Sequence, residues 1–188
     1  MPVTEYLIRN AELYPDEVAL VELNPDEKDT RRTTWKEFDL IQPSANMPYR
    51  REITWSVFNE KANRFANMLI SRGVKKGDKV AILMYNCLEW LPIYFGVLKT
   101  GAIAVPFNFR YDSDEIYYCA ELAQVDVIVF GFAFIGRIEV NAERLLRGRL
   151  LIYVGDNCPS FAESYHELVA DCSSKEPDVK ITEDDYGA

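Results

Sequence analysis

Residues 131–137, Gly131-Phe132-Ala133-Phe134-Ile135-Gly136-Arg137, come nearest to a phosphate-binding pattern in this chain. The glycine spacing resembles the start of a P-loop, but the lysine and Ser/Thr that would meet phosphate and magnesium are missing. His166 is the only histidine, on an expected helix beside Glu163 and Glu167, and no H-x-x-x-H pair is available to hold a metal. It reads as a surface residue. Cys119 falls on the apolar face of another expected helix with no identifiable base to activate it, so it reads as core. Clustered carboxylates, as in Asp112 to Glu115 and Glu183 to Asp185, occupy loops and helix starts, where capping accounts for them. Residue chemistry alone assigns no catalytic residue and no metal ligand.

The elements that would position any site are clearer. Leu7, Ile8 and Ala11 suit a short helix over Glu5–Tyr14, ended by Pro15. Val18–Leu23 reads as a strand, and Ile53-Thr54 closes a second extended run. Thr54 can cap a helix that Gly73 stops, with Phe58, Ala62, Phe65, Ala66, Leu69 and Ile70 at helical spacing. Lys79–Met84, Ala102–Phe107, Val125–Phe130 and Leu150–Val154 are nearly continuous apolar runs, as in parallel strands covered on both faces. Between them lie expected helices. One is capped by Asn86 and runs to Thr100, kinking at Pro92 or becoming regular just before it. Another is capped by Asp112 or Ser113, a short one covers Val140–Leu146, and the last spans Phe161–Ala170. This alternation predicts an α/β fold: an open, mostly parallel, doubly wound sheet with helices on both faces.

Such sheets bind ligands at the carboxyl ends of their strands. The loops there, Tyr85-Asn86-Cys87 and Asn108-Phe109-Arg110, lack the paired glycines that let a backbone approach phosphate. Arg31–Phe38 and Arg50–Phe58 form a near repeat, of which only the second copy leads into a long amphipathic helix. Residues 24–49 are therefore expected to be an inserted loop or hairpin. The division that follows is 1–52 for the N-terminal helix, strand and insertion, 53–172 for the β/α-alternating unit, and 173–188 for a linker.

The chain has 188 residues, 48% of them hydrophobic, enough for one folded unit or part of a larger one. A net charge of −9 makes nucleic acid an unfavourable partner. No C-x-x-C pair occurs among the four cysteines, and no cationic-apolar leader opens the sequence, so a secreted disulfide framework is not expected. The longest uncharged apolar run, Val127 to Gly136, is far short of the roughly 18 residues that span a bilayer. A cytoplasmic location is the expectation.

Ordered motifs over residues 53–130 carry a resemblance. The run Thr54-Trp55 through Asn63-Arg64-Phe65-Ala66-Asn67-Met68-Leu69 resembles the opening signature of the adenylate-forming, AMP-binding superfamily. Gly73-Val74-Lys75-Lys76-Gly77-Asp78-Lys79-Val80 is similar to its turn and strand, Leu98-Lys99-Thr100-Gly101-Ala102 through Pro106 to its next signature, and Asp114-Glu115-Ile116 to the helix start that follows. Asn108-Phe109-Arg110-Tyr111 looks more like the acyl-CoA synthetases than the peptide-synthetase adenylation domains.

The resemblance implies an N-terminal portion of an ATP-dependent carboxylic (fatty) acid–CoA ligase. There, ATP and the acid give an acyl-adenylate and pyrophosphate, and the CoA thiol then displaces AMP. ATP, Mg2+ and CoA would be cofactors of the full-length parent, with none expected bound to residues 1–188. In the parent the partners would be the rest of the synthetase chain, the acid and CoA. By the same resemblance the phosphate loop would begin shortly after Ala188, so no catalytic residue carries over and the fragment is expected to be inactive. Some relatives place Gly-Arg near the CoA nucleotide, and Gly136-Arg137 stands at a similar place. A partial sheet also suggests self-association through an exposed edge or apolar face. Two alternatives stand beside this reading: a free-standing flavodoxin-like binding module, and a fragment of a peptide-synthetase-type adenylation domain.

Overall fold

The computed structural model describes residues 2–23 and 48–185. Helix α1 (Val3–Leu13) precedes strand β1 (Val18–Leu23), which pairs antiparallel with β2 (Arg50–Thr54) in a register that sets Leu23 opposite Arg50. The expected insertion, 24–49, thus connects two paired strands; it lies almost wholly outside the described residues, as does the first copy of the near repeat.

Helix α2 (Trp55–Ser71) starts where expected. The Thr54 hydroxyl accepts from the Val57 N–H at 3.3 Å, and Gly73, at φ +87°, provides the left-handed stop. Strand β3 (Lys79–Leu83), helix α3 (Trp90–Lys99) and strand β4 (Ile103–Pro106) follow. Asn86 does not cap α3, whose regular part begins at Trp90. That puts Pro92 in the first turn, where its missing N–H breaks no helical bond.

Helix α4 (Ser113–Ala123) opens with a reciprocal capping box. Asp112 accepts from the Glu115 N–H at 2.8 Å, and Glu115 accepts from the Asp112 N–H at 2.9 Å. After β5 (Val127–Gly131) come a 3-10 turn at Phe132–Phe134 and the short helices α5 (Ile135–Glu139) and α6 (Ala142–Leu145). The one short helix expected over Val140–Leu146 is therefore preceded by a second that the glycines at 131 and 136 obscured.

Strand β6 (Leu150–Val154) matches its expected bounds. The helix expected over Phe161–Ala170 does not. Glu163–Ser164 form an edge strand, β7, beside Ile152 and Tyr153, and helix α7 (Tyr165–Ala170) starts only after the Ser164 cap. The reason is visible in the packing. Phe161 stacks on Phe130 at 6.1 Å on one face of the sheet, while Tyr165, Leu168 and Val169 pack on the other, so they cannot share one helical face.

The main sheet is five-stranded and wholly parallel, in the order β4-β3-β5-β6-β7. Strand alternation divides the core. Val80, Ile82, Val127, Val129 and Ile152 face α2, α3 and α7, whereas Ala81, Leu83, Ile128, Phe130 and Tyr153 face α4, α5 and α6. Gly96 lets α3 lie against α2, because a Cβ there would come within 2.9 Å of the Ala62 carbonyl oxygen and the Phe65 ring. Among the described residues, no helix is long and apolar enough to cross a membrane.

Candidate functional site

Strand β3 leads to α3 on one face and its neighbour β5 leads to α5 on the other. The crevice between their carboxyl ends is where an open sheet of this kind receives ligands. Here aromatic side chains fill it: the Tyr85 ring lies 5.2 Å from Phe134 and 5.8 Å from Phe109. Arg137 reaches across from α5. Its Nη1 donates to the carbonyls of Phe109 (2.6 Å) and Tyr111 (3.0 Å), and its guanidinium lies 5.5 Å from the Phe134 ring. This pins the β4–α4 loop to α5.

Gly136 is exposed, and a Cβ built on it would meet nothing within 4 Å, so no close backbone approach requires glycine there. Toward a CoA nucleotide, this corner presents an exposed glycine and a guanidinium already engaged by two carbonyls. Cys119 is half-buried against the α4–α5 core, and His166 is exposed, with its ring edge-on to Tyr165. No group of three or more His, Cys, Asp or Glu residues that could hold a metal ion occurs among the described residues.

A second polar cluster locks the β1–β2 hairpin to the β3–α3 loop. Glu22 Oε2 accepts from Arg51 Nη2 at 2.6 Å and from the Leu88 N–H at 3.0 Å, and Glu89 lies 3.8 Å from Arg51 and 4.0 Å from Lys61. Glu22 borders a cavity of about 560 Å³ between β1 and α3, lined by Leu20, Val21, Asn86, Leu88 and Trp90 among others. Burial, reinforced by the Glu89 carboxylate, pushes the Cys87 thiol up to about 12, so it stays protonated at neutral pH and is no nucleophile.

The densest polar arrangement lies on the α2–α3 face, where residues 173–185 run as a strap. Lys99, only 3% exposed, donates from Nζ to Asn59 Oδ1 (2.7 Å), Asn63 Oδ1 (2.7 Å) and Glu176 Oε2 (2.6 Å), which occupies all three N–H groups of an ammonium. Asn63, 2% exposed, returns Nδ2 to the Ser174 carbonyl and to Glu176 Oε1, both at 3.0 Å. Arg64 Nη1 donates to the carbonyls of Ala170 (3.2 Å) and Cys172 (2.7 Å), and Asn67 Nδ2 to those of Ser173 (2.8 Å) and Lys175 (2.9 Å). Farther along, Lys76 Nζ meets the Lys180 carbonyl at 3.4 Å and Asp185 Oδ1 at 2.7 Å.

Burial alone would raise the Glu176 carboxyl, but hydrogen bonds from Lys99, Asn63 and Asn59 outweigh it and hold the group below its ordinary range. Burial lowers the Lys99 ammonium, and its bond to Glu176 offsets only part of that. Taken singly, the lowered carboxyl favours an ionised pair and the lowered ammonium a neutral one. The carboxyl decides, because three donors converge on an acceptor that solvent still reaches. The pair is accordingly ionised at neutral pH.

Sequence reasoning passed over this network. Asn59, Asn63 and Asn67 recur every four residues on α2, a spacing that puts three amides on one helical stripe. Lys99 sits in the last turn of an otherwise apolar helix. An amide stripe facing a buried lysine was the available signal.

Comparison with known proteins places this arrangement. Over 146 residues the chain is 30% identical to the long-chain-fatty-acid–CoA ligase FadD13 of Mycobacterium tuberculosis (strain H37Rv), covering 77% of this chain and 27% of that protein. It is 38% identical over 84 residues to the crotonobetaine/carnitine–CoA ligase of Salmonella enteritidis PT4, covering 45% of this chain and 16% of that one. The chain thus spans about a quarter or less of the relatives it matches. The crystal structure of the N-terminal domain of FACL13 from M. tuberculosis superimposes with a TM-score of 0.70 at 24% identity, covering 98% of this chain and 40% of that one, a likeness of fold. The model of the AMP-binding enzyme family aligns with residues 7–186, nearly the whole chain, and this protein belongs to that family.

Proposed function

We propose that these residues are the N-terminal architectural portion of an ATP-dependent ligase that joins a carboxylic acid to CoA through an acyl-adenylate. The observation that carries this reading is the family match over residues 7–186, seen together with CoA ligases as the relatives. A fatty acid is the favoured substrate class, because the relative covering most of this chain is a long-chain-fatty-acid–CoA ligase.

In this reading ATP, Mg2+ and CoA are bound mainly by residues other than those described above. The buried strands and the α2–α3 face supply the platform on which those residues stand. Residues 1–52 form the N-terminal helix, strand and inserted loop or hairpin, 53–172 the β/α unit, and 173–188 the connection to the nucleotide-binding part, all acting in the cytoplasm. Gly136 and Arg137 border the CoA nucleotide, where Arg137 serves by holding the Phe109–Tyr111 carbonyls in place. The 188 residues alone are inactive. The test is acid-dependent exchange between ATP and labelled pyrophosphate by the purified chain, offered long-chain, short-chain and aromatic acids in turn. No exchange above the enzyme-free blank is expected; exchange with any acid overturns the claim of inactivity.

A further inference from the structure

Four of the bonds that hold the 173–185 strap read its backbone. Asn67 and Lys76 donate to its main-chain carbonyls, and Asn63 donates one of its bonds to the Ser174 carbonyl, while Arg64 holds the Ala170 and Cys172 carbonyls just before it. Every residue offers a carbonyl, so a strap displaced by one residue would satisfy these donors equally well. The Lys76–Asp185 ion pair does depend on side chains, but Lys76 is half exposed, and such pairs hold little.

Lys99 is different. Its side chain is 2% exposed, and two of its acceptors, Asn59 and Asn63, are neutral and belong to α2. Among the described residues, the carboxylate bonded to it is Glu176 of the strap. Any slip that removes Glu176 leaves a buried ammonium without a counter-charge, a state far costlier than a lost neutral bond.

We propose that the α2–α3 face is an intramolecular docking site for residues 173–185, and that Lys99 is the positioning residue that fixes the strap's register by selecting Glu176. The backbone-reading donors supply adhesion and the buried pair supplies specificity. A slip of one extended residue would move whatever follows by about 3.4 Å. In a ligase of the kind proposed above, that displacement would misplace the nucleotide-binding segment. Only this consequence rests on the ligase reading; the docking itself does not.

Trypsin cleavage of the 188-residue chain after Lys180, followed by intact mass, tests it, since cleavage of a docked segment tracks the population of its open form. Glu176→Gln should accelerate cleavage about tenfold or more and Lys99→Met about fivefold, and the double variant should be no faster than the faster single one. Asn67→Ala, which removes backbone adhesion only, should change the rate by less than about threefold. Moving the carboxylate one position on, in Glu176→Gln with Pro177→Glu, should return the rate to within about threefold of wild type, with the extra residue looped out between the Arg64 anchor and Lys99. Glu176→Gln with Pro177→Gln should not.

Cleavage after Lys79, in β3, monitors opening of the whole fold. The proposal is overturned by multiplicative effects in the double variant, by absence of rescue, or by Asn67→Ala matching Glu176→Gln. It is also overturned if cleavage after Lys79 rises in step with that after Lys180. The assay contains no nucleotide or acid, so failure of the ligase reading in the exchange assay leaves its outcome unaffected.

Discussion

On the α2–α3 side of the sheet, an ammonium is buried with three acceptors around it and a neighbouring stretch of chain is bonded to the helix face residue by residue. At the carboxyl ends of β3, β4 and β5, aromatic rings fill the crevice, and the Arg137 guanidinium that reaches across is half-buried against loop carbonyls. The first region uses its polar groups to fix chain to chain, and a change there unbalances charge. The second is built from apolar contact, and a change there loosens a loop. An α/β sheet ordinarily concentrates its specific polar chemistry at the strand ends. Among the described residues of this chain it is concentrated on a helix face instead.

Substitutions separate the two regions, and the largest effect belongs to the platform itself. Phe65 is fully buried between α2, α3 and Tyr165, and Phe65→Ala should lower unfolding free energy by about 3–5 kcal/mol in urea denaturation. The buried pair should come next, and asymmetrically. Glu176→Gln strands a buried ammonium and should cost about 3 kcal/mol. Lys99→Met leaves a carboxylate that water already reaches and should cost only about 1 kcal/mol. Equal losses would mean that Lys99 is better hydrated than its position indicates.

At the strand ends, Arg137→Met should cost about 1 kcal/mol, because the carbonyls of Phe109 and Tyr111 lie in a loop that water can enter. The smallest effect is on pH dependence. The Glu176 carboxyl lies below its ordinary value in the folded chain, so its contribution is complete above about pH 4.5 and is lost as pH falls through the lowered folded value. The stability gap between wild type and Glu176→Gln, measured by urea titration, should be constant from about pH 6 to 8 and narrow below about pH 4.5.

Much of the fold was legible because the local signals were strong. Thr54 and Gly73 bracket α2, Asp112 and Glu115 form their capping box, and the apolar runs in Val127–Phe130 and Leu150–Val154 match strands covered on both faces. The misreadings came where sequence spacing is silent about which face of the sheet a residue joins. Phe161 looked like the start of α7 by periodicity, yet it belongs to the opposite core, and β7 intervenes. Asn86 looked like a cap, yet Pro92 is comfortable only in the first turn, so α3 starts at Trp90.

The strap was the least legible feature, because its anchors are far apart in sequence and its bonds go to backbone carbonyls. Glu176 and Lys99 have no local pattern in common, and only the fold brings them together. The family resemblance, by contrast, rested on Asn63, Arg64 and Lys99 among other residues without indicating what they do. In the structure Asn63 and Lys99 hold the strap, and Arg64 holds the Ala170 and Cys172 carbonyls just before it.

Asn63 bears most directly on an architectural role for this network, since its amide joins Lys99, Glu176 and the Ser174 carbonyl at once. Urea unfolding of the chain carrying Asn63→Ala is predicted to show a loss of about 1–3 kcal/mol with an unchanged denaturant slope. An unfolding curve that superimposes on that of the wild type would contradict an architectural role.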